Sequence, residues 1–132
     1  MDEPYLILRF NPLVGKAVAT TVGMVLVILR MKVIAEKRGE LCQTIISLIG
    51  PLRTEKGCLR CDFCQGQEDV KELHLIEEWD TRGNLYRHLN SNLFQVLRGA
   101  MSLLQEPYEL RIHDVLPWER TIPRSRTTVE GQ

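Results

Sequence analysis

Glu77, Trp79 and His88 are the residues of this sequence best suited to chemistry. Glu77 and Trp79 stand two apart in Leu73-His74-Leu75-Ile76-Glu77-Glu78-Trp79, so on an extended chain both point to one face. His88 follows nine residues after the tryptophan. Tryptophan offers a flat apolar wall for an aromatic ring and one N–H donor. Histidine changes charge near neutral pH and can take a phenolic proton, and a carboxylate beside it would orient or charge-stabilise the imidazole. Taking a proton from a bound aromatic needs this kind of set, held in a dry pocket. Each residue also has an ordinary structural role. A tryptophan ending a strand packs a core, a histidine on an apolar helix face is satisfied by neighbours, and a glutamate bonds backbone or arginine.

A second constellation is the string Cys58-x-x-Cys61-x-x-Cys64, a spacing that thiolate metal sites use. Its surroundings argue for a strand, because Leu59, Cys61 and Phe63 alternate with Arg60, Asp62 and Cys64. At about 3.3 Å per residue, Cys58 and Cys64 would stand roughly 20 Å apart with Cys61 on the opposite face. Neighbouring pairs near 10 Å are also beyond disulfide reach. No metal is expected, and these thiols, with Cys42 on a separate helix, read as structural.

Those residues need elements to hold them. Met24 to Val33 is rich in β-branched and aliphatic residues and predicts a strand buried over much of its length. From Glu40 to about Arg53 the period becomes helical, with Leu41, Ile45, Leu48 and Leu52 on one stripe and Ile46 and Ile49 widening it. Gly57 marks a turn before the Cys58 to Gln65 strand, and Gly66-Gln67-Glu68-Asp69 turns the chain into a hairpin with Val70 to Trp79. Asp80 or Thr81 caps a helical region bearing Leu85, His88 and Leu89 on one face. After a break near Asn90-Ser91-Asn92, a stripe of Leu93, Val96, Leu97, Ala100, Leu103 and Leu104 continues until Pro107. Tyr108, Leu110 and Ile112 alternate with Glu109, Arg111 and His113 in a last strand.

The order predicts an α+β fold, a ferredoxin-like βαββαβ sandwich whose antiparallel sheet carries both helices on one face. The bare face, with Ile76 on it, must meet something, most simply a second copy of the chain in a homodimer. His74 and His113 point to that face, away from a pocket between helices and sheet. Three regions follow. Residues 1–23 form an N-terminal extension, with a short strand from Tyr5 to Phe10 before a Gly/Ala/Thr-rich link. Residues 24–116 form the domain, and residues 117–132 an arm or tail.

Composition bounds the function. Seventeen Lys plus Arg against seventeen Asp plus Glu give a net charge of +0, which argues against a nucleic-acid binder. The longest uncharged apolar run, Ala17 to Leu29, is thirteen residues, short of the roughly 20 that a membrane helix needs. The acidic Met1-Asp2-Glu3 start lacks the basic end of a signal peptide, and a cytoplasmic protein with reduced thiols is expected.

Lys56-Gly57-Cys58-Leu59-Arg60, Leu73 to Asp80, then Leu85-Tyr86-Arg87-His88-Leu89 and Phe94 resemble the antibiotic-biosynthesis monooxygenase (ABM) superfamily. The pattern is a Gly-Cys turn, an apolar-x-Glu-x-Trp strand and a helix with Leu-x-x-His-Leu. It covers about Met24 to Val115. The resemblance implies a dimeric α+β barrel with no bound cofactor. Members include quinol and anthrone oxygenases, haem-degrading enzymes and signal-molecule isomerases. On this pattern His88 and Glu77 would be the catalytic pair, and Trp79, Tyr86, Phe94 and Phe63 would line the substrate pocket. The haem-degrading relatives place an asparagine on the first strand beside the Trp and His. The matching position, counted back from a turn at Gly39, is about Lys32, and no asparagine occurs between Met24 and Ala35. Three functions stay open: an oxygenase of a quinol-like or polyketide aromatic, a non-catalytic small-molecule binding or sensing dimer, and a cofactor-free isomerase.

Overall fold

The computed structural model describes the backbone of residues 5–11 and 15–116, with side chains over 23–116. In chain order the elements are β1 (Tyr5–Asn11), β2 (Lys16–Val22), β3 (Met24–Lys32), α1 (Arg38–Arg53), β4 (Cys58–Gln65), β5 (Glu72–Trp79), α2 (Arg82–Leu89), α3 (Asn92–Ala100) and β6 (Glu109–Val115). From β3 onward this is the ferredoxin-like βαββαβ arrangement, with an antiparallel sheet in the order β4-β5-β3-β6.

The two-residue period of the strands makes the core. Val25, Val27, Leu29 and Met31 of β3 and Leu73, Leu75, Glu77 and Trp79 of β5 are buried on the helix-covered face. Leu41, Ile45, Ile49 and Leu52 of α1 and Phe94 and Leu97 of α3 pack onto them. Ile46 and Val96, expected on the apolar stripes, are instead 62% and 53% exposed, because the helices turn those positions to solvent.

Several boundaries shift. α1 begins at Arg38, after a short 3-10 turn at Ala35–Lys37, so Gly39 lies inside a helix rather than in a turn. α3 ends at Ala100; Leu103 falls in a second 3-10 turn, and Leu104 bridges to Val33. The Gly/Ala/Thr-rich stretch is not a link. Its Lys16–Val22 backbone is β2, paired antiparallel with β1 from Tyr5↔Val22 to Asn11↔Lys16 in a separate two-stranded sheet. β-Branched Val18, Thr20, Thr21 and Val22 suit that extended backbone. The predicted arm at 117–132 lies outside the described residues. Among those described, no helix is long and apolar enough to cross a membrane.

The break between α2 and α3 falls where Asn90-Ser91-Asn92 predicts it, and two side chains build it. Thr81 caps α2 by accepting from the Asn84 N–H at 3.1 Å. Ser91 caps α3 by accepting from the Phe94 N–H at 3.1 Å, while its hydroxyl donates to the His88 carbonyl at 2.6 Å. One serine therefore starts α3 and fixes the backbone that carries His88. Ser91→Ala is expected to cost about 1 kcal/mol, the usual scale for a lost N-cap. A urea unfolding midpoint unchanged from wild type would show that the cap is not needed.

Candidate active site

Three rings meet where α2 and α3 cover the end of β5. Trp79, the last residue of β5, is 0% exposed and stacks on His88 with centroids 4.8 Å apart and planes 25° apart. Phe94, in the first turn of α3, meets the same imidazole edge-on at 5.4 Å and 68°. His88 is 2% exposed on the inner face of α2, beside Leu85. The strand ends at Trp79, so the chain turns there and returns over its own aromatic side chain as α2.

Two carboxyl groups flank the imidazole. Glu55, in the turn after α1, meets His88 Nδ1 through Oε1 at 2.5 Å. Glu77 lies on the other side, its Oε1 accepting from Trp79 Nε1–H at 2.8 Å and standing 3.8 Å from His88 Nε2. The tryptophan N–H is thus spent on Glu77 within the protein. His88 Nε2 is a buried polar atom with no hydrogen-bond partner among the described residues.

Burial makes Glu77 a weaker acid than a free glutamate. Its pKa is pushed above the ordinary carboxyl value by desolvation, offset by attraction to His88 and by the Trp79 hydrogen bond, with repulsion from Glu55 adding to the rise. Such a carboxyl holds its proton longer in the folded chain than in the unfolded one. Its contribution to stability is therefore complete below the ordinary glutamate range and is lost as the pH rises through the raised value.

Gly57 lets the turn carrying Glu55 approach α2. Its φ is +89°, and a Cβ built there would fall 2.5 Å from Asn84 Cβ and from Asp80 Oδ1. The Gly57 carbonyl accepts from Asp80 N–H at 2.9 Å, and Asn84 Nδ2–H donates to Asp80 Oδ1 at 2.8 Å. A hollow of about 140 Å³ opens beside this turn, lined by Glu55, Lys56, Asn84, Arg87, His88 and Ser91. It lies on the Glu55 side of His88.

The sequence-predicted residues divide. His88, Glu77, Trp79 and Phe94 converge. Tyr86 is 49% exposed, and Phe63 pairs with Leu75, roughly 13 Å along the strand from Trp79, so neither joins the cluster. Glu55 is the residue sequence reasoning missed. It sits in a turn with no periodicity to betray its direction, and its one signal is its place two residues before the Gly57 that bends the chain.

The cysteine string is re-aimed by a bulge. β4 shifts register between Cys58 and Arg60, so Cys58 faces Trp79, Cys61 faces Glu77, and Leu59 is left 58% exposed. Cys58 and Cys61 therefore share the inner face rather than opposing faces, while Cys64 is exposed. Burial, and then the Glu77 charge, pushes the Cys61 thiol up to about 12, so it stays protonated. Among the described residues no three His, Cys, Asp or Glu side chains converge as metal ligands would. Lys32 is also moved: the strand register puts it opposite Glu72, at the far end of β3 from the site, and Val25 is the residue facing Trp79.

A ferredoxin-like α+β sandwich with a Trp–His–Glu cluster beneath its second helical region is the class this geometry defines. The chain belongs to the antibiotic biosynthesis monooxygenase family, whose pattern matches residues 24–99. Among solved structures it is similar to a conserved protein from Methanosarcina mazei Go1, with 28% identity and a TM-score of 0.67 over 70% of this chain and 92% of that one. Rv0793 from Mycobacterium tuberculosis is 26% identical with a TM-score of 0.68, over 74% of this chain and 99% of its own. A structure described as antibiotic biosynthesis monooxygenase shares the fold at 22% identity and a TM-score of 0.66, over 70% and 99%. No protein of curated function matches the chain.

Glu77→Gln tests the raised pKa of Glu77, because its amide oxygen still accepts from Trp79 while the group no longer titrates. The variant is expected to gain stability relative to wild type as the pH rises from the ordinary glutamate range. Urea unfolding of both proteins between pH 4 and pH 8 reads this; a difference that stays flat across that range contradicts it.

Proposed function

We propose that this protein is a cofactor-independent monooxygenase acting on a quinol-like or polyketide aromatic, with His88 as the base, Glu77 supporting it and Trp79 as the wall against which the ring stacks. The observation that carries the reading is His88 Nε2, a basic nitrogen buried against Trp79 and Phe94 with no partner among the described residues. A buried acceptor of this kind is normally met by a donor, and an acidic hydroxyl of a bound aromatic supplies one. Membership of the family supports oxygen chemistry in general terms.

The electrons come from the substrate. The hydroxyl proton moves to Nε2, leaving an electron-rich anion that reduces oxygen directly. One oxygen atom enters the ring carbon and the other leaves as water, so a dihydroxybenzene and O2 give a hydroxyquinone and H2O. The imidazolium formed in the first step lies between Glu55 and Glu77, each placed to stabilise its charge. The low-dielectric surroundings strengthen that attraction.

One observation favours a second reading, a non-catalytic small-molecule binding dimer. Trp79 and His88 are 0% and 2% exposed, so Nε2 is closed to a ligand in this conformation. Activity separates the two readings. With an oxygen electrode and a panel of hydroquinones, the wild type is expected to consume oxygen, and His88→Ala to lose about 10²–10⁴-fold in turnover, the scale of general acid–base catalysis. Trp79→Phe is expected to act mainly on binding, since it keeps the aromatic wall. A His88→Ala protein that melts earlier yet turns over normally per folded molecule removes this residue from the mechanism.

The bare sheet face supports assembly as a homodimer, the dimeric α+β barrel. Leu26, Ile28 and Ile76 are half-buried at its centre, and Arg30 bonds Glu72 through Nε at 2.9 Å beside them. Arg60 with Asp62 and Arg111 with Glu109 add ion pairs at its edge strands. An apolar centre within a charged rim is the anatomy of an interface. Light scattering at micromolar concentration is expected to give about twice 15.2 kDa. A monodisperse monomer overturns the assignment.

A further inference from the structure

We propose that Glu55 is a positioning residue that keeps the imidazole proton of His88 on Nδ1 and so leaves Nε2, the nitrogen on the Glu77 side, as the basic one. The inference rests on the proposed site only for its consequence in turnover; the position of the proton is a property of the protein alone.

A neutral imidazole carries one proton, and the hydrogen bond at one nitrogen decides what the other does. Here the two nitrogens meet unequal surroundings. Nδ1 has Glu55 Oε1 at 2.5 Å, within hydrogen-bond reach, whereas Nε2 has Glu77 Oε1 at 3.8 Å, beyond it. That Glu77 oxygen is also already taken by Trp79 Nε1–H. The remaining neighbours of the ring, Trp79 and Phe94, accept no in-plane proton. The charged groups facing His88 are therefore Glu55 from the turn after α1 and Glu77 from β5, with Lys56 and Arg87 lining the hollow on the solvent side. Two carboxyls compete for one ring proton, and geometry gives it to Glu55.

The backbone is built to hold that choice. Gly57, at φ +89°, brings the turn against Asp80 and Asn84 at the start of α2. Ser91 fixes the His88 carbonyl from the other end of the same helix. The Glu55 side chain keeps 24% of its surface exposed, so a proton passed to it from Nδ1 has a route to solvent that Glu77, only 3% exposed, lacks.

The test is the imidazole 15N spectrum of the full-length labelled protein, read above the midpoint of the His88 titration. Its signals are separated from those of His74 and His113 with His88→Gln. Wild type is expected to show a protonated Nδ1 and an unprotonated Nε2. Glu55→Leu is expected to move the proton to Nε2, where only Glu77 remains to receive it, while Glu55→Gln, which keeps an acceptor oxygen, preserves the Nδ1–H form. Glu77→Gln also preserves it. A wild-type ring protonated at Nε2, or a Glu55→Leu ring still protonated at Nδ1, overturns the proposal, and the first outcome stands even if the leucine variant fails to fold. In turnover, Glu55→Leu is expected to lose about 10²-fold in kcat with KM within about twofold, because the proton then occupies the working nitrogen. Wild type that consumes no oxygen with any hydroquinone sinks the oxygenase reading and leaves the spectrum to decide the role of Glu55.

Discussion

A carboxyl and an imidazole lie inside an apolar core, and burying either is costly unless its polar atoms are met. Glu77 and His88 are each 2% exposed, among Val25, Leu85, Trp79 and Phe94. The protein answers with one bond from Trp79 to Glu77 and one between Glu55 and His88, and leaves one nitrogen unmatched. The position of β5 at the centre of the cluster, the turn at Gly57 and the split of the second helical region into α2 and α3 all serve that arrangement. The strand places Glu77 and Trp79, the turn places Glu55, and the split helix places His88.

The split helix matters most among these. A continuous helix after β5 would carry His88 and Phe94 six residues apart, on different faces of one cylinder. Breaking it at Ser91 redirects the axis, so α2 delivers the imidazole onto Trp79 while α3 brings Phe94 to its edge. The serine that caps α3 also bonds the His88 carbonyl, so the break and the placement of the imidazole are one local event. Rigidity of this kind keeps a ring nitrogen aimed without help from a ligand.

Most of the fold was legible in the sequence because period-2 alternation and helical stripes report burial directly. β4 begins and ends where its alternation does, the inward row of β5 follows the sequence residue by residue, and the pause at Asn90 to Asn92 marks a true break. Features set by backbone detail were not legible. The bulge after Cys58 turned Leu59 outward and put Cys58 and Cys61 on one face, and no side-chain pattern announces an extra residue in a strand. β2 is not legible because Gly15 and Gly23 flank it and alanine is weak in strands, while pairing with β1 makes that stretch a strand. In the site, strand spacing correctly joined Glu77 to Trp79, and the helix face brought His88 in. Glu55 escaped because its contact with His88 spans 33 residues from a turn, where neither period applies.

The proposed reaction requires oxygen to meet a substrate anion inside this cluster, with nothing but the substrate supplying electrons. Turnover of a hydroquinone under 18O2, in protein stripped of metal and flavin and followed by mass spectrometry, reads this most directly. The account predicts a hydroxyquinone carrying one 18O atom, with the second recovered in water. Product oxygen drawn from H2O, or activity that returns only when a metal or flavin is added back, would contradict it.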